Sequence, residues 1–192
     1  MIQIKCIINS VLNSCTYILS NNHSNNHYLI DCGDIESVLD YISPTGIIQA
    51  VFLTHVHYDH FYGLPQLLRI FPNCKVYTNK YGIDALASSK LNLSKYQGDP
   101  IEVFGLNVRS IEDNDSVSLF DGISIKVIET PGHNPSCICY VINNHIFTGD
   151  SYMLDVPVVT KLPHANKELA DKSVQKILEL AIGKQVYLGH KL

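Results

Sequence analysis

The sequence predicts a single mixed α/β domain over residues 1–192. Its 192 residues, 46% of them hydrophobic, suffice for one globular core. Strand-like runs come in pairs that alternate with single helix-like segments, which is typical of a mixed α/β architecture. No linker or internal repeat divides the chain, and we therefore expect one domain.

The first half of the chain reads as strands and helices in alternation. Alternating apolar residues at the start predict a strand, and the runs CTYILS and HYLIDCG around the polar linker NNHSNN predict a hairpin. Apolar residues at helical spacing predict two helices, which end before Pro44 and Pro72. Between them, IIQAVFLT is apolar almost throughout, as expected for a strand that is buried on both faces.

The second half continues this alternation. CKVYTN predicts a strand, KYGIDALASSK a short helix, and the polar stretch 92–100 an irregular segment. ISIKVIET predicts a strand that stops at Pro131, and CICYVI and HIFTGD predict a second hairpin around Asn143. Apolar residues from Val174 to Ile182 predict an amphipathic helix ended by Gly183, before a last strand in QVYLGH.

Charge and composition exclude several classes of partner. Fourteen Lys and Arg residues against eighteen Asp and Glu residues give a net charge of −4, which argues against a nucleic-acid surface. No apolar segment approaches the roughly 20 residues of a membrane span, and polar residues interrupt the apolar N-terminus where a signal peptide would lie. The six cysteines mostly occupy apolar runs, which favours free thiols in a reducing compartment. We expect a cytoplasmic protein with no nucleic-acid or membrane partner, and we form no expectation for its oligomeric state.

Histidine and aspartate residues concentrate where predicted strands end. THVHYDH, residues 54–60, follows a buried strand, and three later strands each end in a glycine followed by a histidine or an aspartate. Such a glycine lets the backbone turn sharply, so that the next side chain points into a shared pocket. One histidine after a strand is usually a capping or core residue, but this set would be costly to desolvate unless something satisfied it. Five imidazoles and two carboxylates suit two borderline ions such as Zn²⁺. The candidate ligands are His55, His57, Asp59, His60, His133, Asp150 and His190.

These motifs, in this order, resemble those of the metallo-β-lactamase-like hydrolase superfamily. THVHYDH matches the HxHxDH signature, TPGH, TGD and GH follow it, and YLIDCG is similar to the early strand that ends in Asp-x-Gly. The resemblance covers nearly the whole chain. It implies a four-layer αβ/βα sandwich of two mixed sheets flanked by helices, with a dinuclear metal site at one edge.

The resemblance also implies a role for each site residue. His55, His57 and His133 would bind the first metal ion, Asp59, His60 and His190 would bind the second, and Asp150 would bridge the two. Asp31 would orient the metal-binding loop through hydrogen bonds, although an ordinary aspartate of a turn at a strand end is an equal alternative.

The function implied is that of a compact glyoxalase II-like enzyme. Such a hydrolase uses two divalent ions, Zn²⁺ foremost with Fe or Mn as alternatives. A metal-bridging hydroxide attacks a small ester-like substrate, for which we favour a thioester. Asp59 or Asp150 would accept and relay a proton. One alternative is a mononuclear iron persulfide dioxygenase that uses only His55, His133 and Asp150. Another is a non-catalytic metal-binding protein of the same fold.

Two further regions leave alternatives open. Tyr62 stands where the family commonly has a glycine, and its side chain either projects towards the pocket or packs on the helix. Segment 78–98, which carries Tyr81 and Tyr96 among several lysines, either contacts an anionic ligand or forms a solvated helix and loop. In both cases we favour the second.

Overall fold

Two β-sheets face each other in the computed structural model, which describes residues 1–191. The first sheet has six strands in chain order, antiparallel from the first to the third and parallel from the third to the sixth. Its strands are β1 (Gln3–Ile8), β2 (Cys15–Ser20), β3 (Asn26–Ile30), β4 (Ile47–Phe52), β5 (Lys75–Thr78) and β6 (Val108–Ser110).

The second sheet has five strands in the order β11-β10-β9-β8-β7. These strands are β7 (Ser116–Phe120), β8 (Ile123–Glu129), β9 (Ile138–Ile142), β10 (His145–Gly149) and β11 (Gln185–Leu188). The strands from β7 to β10 are antiparallel to their neighbours, whereas β11 runs parallel to β10. Both sheets are therefore mixed.

Helices cover the outer face of each sheet. They are α1 (Ile35–Tyr41), α2 (Leu64–Ile70), α3 (Lys80–Leu86) and α4 (Lys167–Leu180). One apolar cluster joins the first three helices to the first sheet, for example through Val38, Leu67 and Val51. A smaller cluster joins Ile177 of α4 to Ile146 of the second sheet. The order of layers is helix, sheet, sheet, helix, which confirms the predicted αβ/βα sandwich.

The main core between the sheets is rich in aromatic residues. Phe52 of the first sheet meets Tyr140 of the second at 5.6 Å between ring centroids, and both side chains are fully buried. The Tyr140 hydroxyl donates a hydrogen bond to the Leu53 carbonyl oxygen over 2.8 Å. Because Leu53 lies directly after β4, this bond ties the second sheet to the start of the THVHYDH turn.

The predicted elements are present, and the structure adds to them in three places. The short strands β6 and β7 were not predicted, because their alternating apolar signal is weak and pairing with β5 and β8 decides them. Helix α4 begins at Lys167, well before its predicted apolar stripe, since Asn166 caps it and a Lys167–Asp171 ion pair of 2.9 Å supports its first turns. The segment 92–100 contains a short 3₁₀ turn, Ser94–Gln97.

The helices of residues 1–191 are all too short or too polar to cross a membrane. The longest of them, α4, has 14 residues, against the roughly 20 that a spanning helix needs.

Candidate metal centre

The turn between β4 and α2 carries four of the candidate ligands. It includes a short 3₁₀ turn, Tyr58–His60, and the apolar residues Val56 and Phe61 lie among and directly after its ligand positions. Val56 and Phe61 are fully buried and anchor the turn in the core. His55 and His60 are also fully buried, with their rings 4.2 Å apart between centroids. The apolar anchors thus hold polar side chains at the edge of the sandwich.

The second sheet supplies the other three candidates, each after a glycine. Gly132 and Gly149 have φ values of 147° and 50°, where glycine is favoured, so that His133 and Asp150 can leave their strands sharply. Gly189 serves a different purpose: a Cβ there would lie 2.3 Å from Asp150 Oδ1. The predicted role of glycine as a turning residue is confirmed at two positions, and the third glycine permits close packing.

All seven candidate side chains meet at this edge, in three overlapping groups. Within each group the potential ligand atoms lie within 4.8 Å of one another. The groups are His55, His57 and His133; His55, His60 and Asp150; and Asp59, His60 and His190. The first and third groups are the two ligand sets that the family resemblance implied.

Asp150 lies between the two outer groups. Its Oδ1 is 3.2 Å from His190 Nε2 and 3.4 Å from His60 Nε2, whereas its Oδ2 is 3.5 Å from His133 Nε2. One carboxylate oxygen thus faces each side, which is the arrangement that a bridging ligand needs.

Two potential ligand atoms of this site lack a hydrogen-bond partner within the described part of the chain and are available to metal ions. His55 Nε2 and Asp150 Oδ1 are buried and have no hydrogen-bond partner among residues 1–191. Two pairs of ring nitrogens lie at hydrogen-bond distance, at 2.9 Å between His57 Nδ1 and His133 Nε2 and at 3.2 Å between His60 Nε2 and His190 Nε2. Because Nδ1 of His133 and of His190 donates to a backbone carbonyl oxygen, Nε2 of each neutral ring carries a lone pair that a metal ion can accept. These groups are able to hold metal ions.

Hydrogen bonds to the outer ring nitrogens set the direction of several imidazoles. His133 Nδ1 donates to the Val159 carbonyl oxygen over 2.8 Å, and His190 Nδ1 donates to the Leu12 carbonyl oxygen over 2.9 Å. His60 Nδ1 bonds to Asp31 Oδ2 over 2.8 Å. Each bond leaves Nε2 of the same ring free and directed inward, as metal-ligating histidines require.

Comparison with known proteins agrees with this geometry. Residues 11–190 match a family model described as the metallo-beta-lactamase superfamily. The chain belongs to this superfamily. A hydroxyacylglutathione hydrolase of Aliivibrio fischeri is 29% identical over 174 residues, which cover 90% of this chain and 60% of that protein. The chain thus spans about 60% of the length of such curated relatives.

Solved structures of similar proteins show the same fold. The B3 metallo-beta-lactamase BLEG-1 superposes with a TM-score of 0.88 at 24% identity, over 99% of this chain and 92% of that one. TTHA1623, crystallised in a di-iron-bound form, superposes with a TM-score of 0.80 at 25% identity, over 98% of this chain and 92% of that one.

Asp31 forms hydrogen bonds to residues at both ends of the THVHYDH motif. Its φ is 59°, and its carboxylate accepts hydrogen bonds from Thr54 N and Thr54 Oγ1 at 2.7 Å each, besides the bond to His60. Burial raises its pKa, which the bonds to His60 and Thr54 oppose. Asp31 therefore contacts both ends of the THVHYDH turn, as expected of a residue that orients ligands.

Burial and charge shift the pKa values of His55 and His57 in one direction and that of His60 in the other. Burial and neighbouring imidazoles hold the pKa of His55 well below 6.5 and lower that of His57 to about 3. Burial would also lower the pKa of His60, but the carboxylates of Asp59, Asp31 and Asp150 together raise it well above 6.5. The pKa of Asp150 lies well below its usual range, since nearby imidazoles outweigh its burial. Without metal, protons therefore reside on the His60 side of the site.

A cavity of about 340 Å³ opens over the candidate ligands. Besides site residues, it is lined by Leu12, Met153, Val159, Leu162 and Lys191. Sequence reasoning missed these residues, because they carry no motif and come from the β1–β2 turn, the loop after β10 and the chain beyond β11. The presence of six apolar residues in the irregular stretch 153–162 was the only available signal.

The structure places both of the regions for which the sequence left alternatives open. Tyr62 packs away from the cavity, stacked on Tyr58 at 5.5 Å between centroids, and its hydroxyl bonds to the Asp34 carboxylate. Within residues 1–191, the residues that line the cavity include none from segment 78–98. The packed alternative is therefore confirmed for Tyr62, and the solvated alternative for segment 78–98 stays a prediction.

Proposed function

We propose that this protein is a hydrolase that holds two divalent metal ions, Zn²⁺ foremost, and cleaves small ester-like substrates, thioesters above all. The observation that carries the proposal is the convergence of seven histidine and aspartate side chains, six of them in two ligand groups on either side of Asp150. The name of the Aliivibrio fischeri relative supports hydrolysis of an acylated thiol. The di-iron form of TTHA1623 supports a site for two ions.

Each ion would have its own set of ligands. His55, His57 and His133 would hold one ion and Asp59, His60 and His190 the other, with Asp150 between them. When bound, two adjacent divalent ions supply Lewis acidity for a substrate carbonyl oxygen and lower the pKa of water.

The chain's own residues would orient the substrate and move the proton. Asp59 and Asp150 are the two carboxylates that line the cavity. Asp59 Oδ2 lies 3.3 Å from both His60 Nε2 and His190 Nε2, within their ligand group, so that its second carboxylate oxygen would be the one left to accept a proton. The bonds of His133 and His190 to backbone carbonyl groups keep these two rings from turning, which preserves the shape of the site.

The test is elemental analysis together with thioester hydrolysis, for the natural sequence and for Asp59→Ala. We expect two metal ions per chain to fall to one and turnover to be lost, because Asp59 belongs to one ligand group only. Asp84→Ala, on the exposed surface of α3, is the matched control and should change neither result. Full turnover by Asp59→Ala would falsify the proposal.

The same measurements identify the alternatives. A single iron ion that survives Asp59→Ala, with oxygen consumption on a persulfide, would indicate the mononuclear dioxygenase built on His55, His133 and Asp150. Two bound ions without turnover of any ester, thioester, phosphodiester or β-lactam would indicate a non-catalytic metal-binding protein.

A further inference from the structure

We propose that the cavity selects substrates with an apolar acyl group, in preference to the hydroxyacyl group in the name of the Aliivibrio fischeri relative. This inference rests on the proposed function and names the substrate class of the same site. The acyl group would lie against an apolar rim formed by Leu12, Met153, Val159 and Leu162.

Three of the four rim residues have apolar side chains that are exposed to solvent. Leu12 is 69% exposed, Val159 48% and Leu162 38%, and all three line the cavity over the candidate ligands. Scattered single apolar side chains on a surface need no explanation, but a group of them around a polar cleft marks a binding site. The cavity volume of about 340 Å³ lies at the lower end of the range for small-molecule sites.

The candidate ligands themselves hold the rim in place. The Leu12 carbonyl oxygen accepts the hydrogen bond of His190, and the Val159 carbonyl oxygen accepts that of His133. Each bond joins an imidazole that faces the reacting group to a residue whose side chain lies at the cavity mouth. These two hydrogen bonds therefore fix the distance between the apolar rim and the candidate metal ligands. Such an arrangement favours a substrate whose apolar part begins directly beside the bond to be cleaved.

The four rim side chains offer an acyl hydroxyl group no hydrogen-bond partner. The remaining lining residue outside the candidate ligands is Lys191, which is exposed and is the only donor side chain among these five. A hydroxyl group placed against such a wall loses its hydrogen bonds to water without replacement, whereas a methylene group gains by leaving water. An apolar acyl chain should thus bind more tightly than its hydroxylated counterpart.

The first experiment measures binding rather than turnover. The metal-loaded protein is titrated calorimetrically with propionate, butyrate, pentanoate and hexanoate, the carboxylate products of such acyl groups, and with 6-hydroxyhexanoate, a counterpart of hexanoate whose hydroxyl group lies too far from the carboxylate to chelate a metal ion. We expect affinity to rise about fourfold per added methylene and hexanoate to bind more tightly than 6-hydroxyhexanoate. Equal affinity along the series, or a preference for 6-hydroxyhexanoate, would overturn the inference.

Substitutions in the rim locate the effect. Leu162→Ser should reduce the gain per methylene to less than twofold, while leaving the metal content unchanged. Leu106→Ser is the matched control, since Leu106 is 86% exposed and lies outside the cavity lining. If Leu162→Ser keeps the full gain per methylene, or if Leu106→Ser loses it equally, the rim is not the acyl site.

Hydrolysis of thioesters that share one neutral thiol separates this inference from the proposed function. Chain-length-dependent binding without hydrolysis of any thioester would refute the proposed function and leave the apolar site standing. Hydrolysis at one rate for lactoyl, propionyl and hexanoyl thioesters, with no discrimination among the carboxylates, would refute the apolar site and leave the hydrolase standing.

Discussion

At the level of single residues, the pKa values of His55 and His57 are lowered, whereas those of His60 and His190 are raised. His55 and His57 are neutral, because burial and neighbouring imidazoles lower their pKa values. His60 and His190 have raised pKa values, although burial opposes this, since carboxylates lie within 3.4 Å of each ring. A metal ion that binds the His60 side must therefore displace protons.

This difference predicts how metal binding depends on pH. Because the raised pKa values of His60 and His190 lie above 6.5, protons compete with the ion as the pH falls, and the competition begins above pH 6.5. Metal affinity should fall by up to about tenfold per pH unit for each proton displaced. Competition with a chromophoric chelator between pH 6 and pH 9 measures it; an affinity that stays constant down to pH 6 would contradict the expectation.

The cysteines allow a second prediction for a single residue. Cys6 is exposed, and a hydrogen bond with the Cys15 thiol lowers its pKa to about 7, despite partial burial and helped by the charges of Lys191 and Lys5. The other five thiols are buried, and burial raises the pKa of Cys137 and Cys139 to about 12. Limiting iodoacetamide at pH 7.5 should therefore alkylate Cys6 first, since the thiolate is the reactive form. Peptide mass spectrometry checks this, with Cys6→Ser as the control that should remain largely unlabelled.

At the level of elements, the ends of the second-sheet strands bring the ligands together by close backbone packing. β10 and β11 are parallel neighbours, so that their carboxyl ends deliver Asp150 and His190 to the same edge. Gly189 N donates a hydrogen bond to the Gly149 carbonyl oxygen over 3.2 Å. The two ligands are therefore spaced by strand pairing rather than by loop structure.

Gly189→Ala tests this spacing. The new Cβ would lie 2.3 Å from Asp150 Oδ1 and 2.7 Å from the Gly149 carbonyl carbon, so that both ligand strands must shift. We expect a loss of about 1–3 kcal/mol in unfolding free energy from overpacking, together with weaker metal binding. Gly98→Ala is the control, because a Cβ at position 98 would have no heavy atom within 4 Å, while its φ is 81°. It should lower the unfolding free energy by about 1–2 kcal/mol through backbone strain alone and leave the metal content unchanged. Equal metal affinity in both variants would argue against the spacing role.

At the level of the whole molecule, the candidate ligands come from both sheets. Four follow β4 of the first sheet, and three follow β8, β10 and β11 of the second. Metal ions held by this set would join the two halves of the sandwich at one edge. Metal binding should therefore stabilise the fold as a whole.

Removal of metal should accordingly lower the thermal unfolding temperature. A ligand present at a thousandfold its Kd adds about 4.1 kcal/mol, which corresponds to roughly 8–16 °C for a protein of this size. Differential scanning calorimetry with and without a chelator measures the shift, and Asp59→Ala should show a smaller one. Identical transitions with and without metal would show that the ions do not join the sheets.

Much of the fold and the site could be predicted, because the signals were local. Apolar periodicity predicted the main strands and the four helices, and the hairpin of β2 and β3 pairs Tyr17 with Ile30 across a loop that was correctly placed. The seven candidate ligands were found through their positions at strand ends. β6, β7 and the start of α4 were missed, because partners distant in the sequence or polar capping, rather than apolar periodicity, stabilise them.

The amino-acid sequence alone was sufficient for the superfamily, the layered architecture and the set of candidate ligands, since these depend on motifs and on the spacing of neighbours along the chain. Only the tertiary structure decided what surrounds the ligands. Leu12 meets His190 across 178 positions of sequence, and Val159 meets His133 through a loop without a motif. The wall of the cavity, and with it the proposed choice of substrate, forms only when the two sheets pack and bring these segments to one edge.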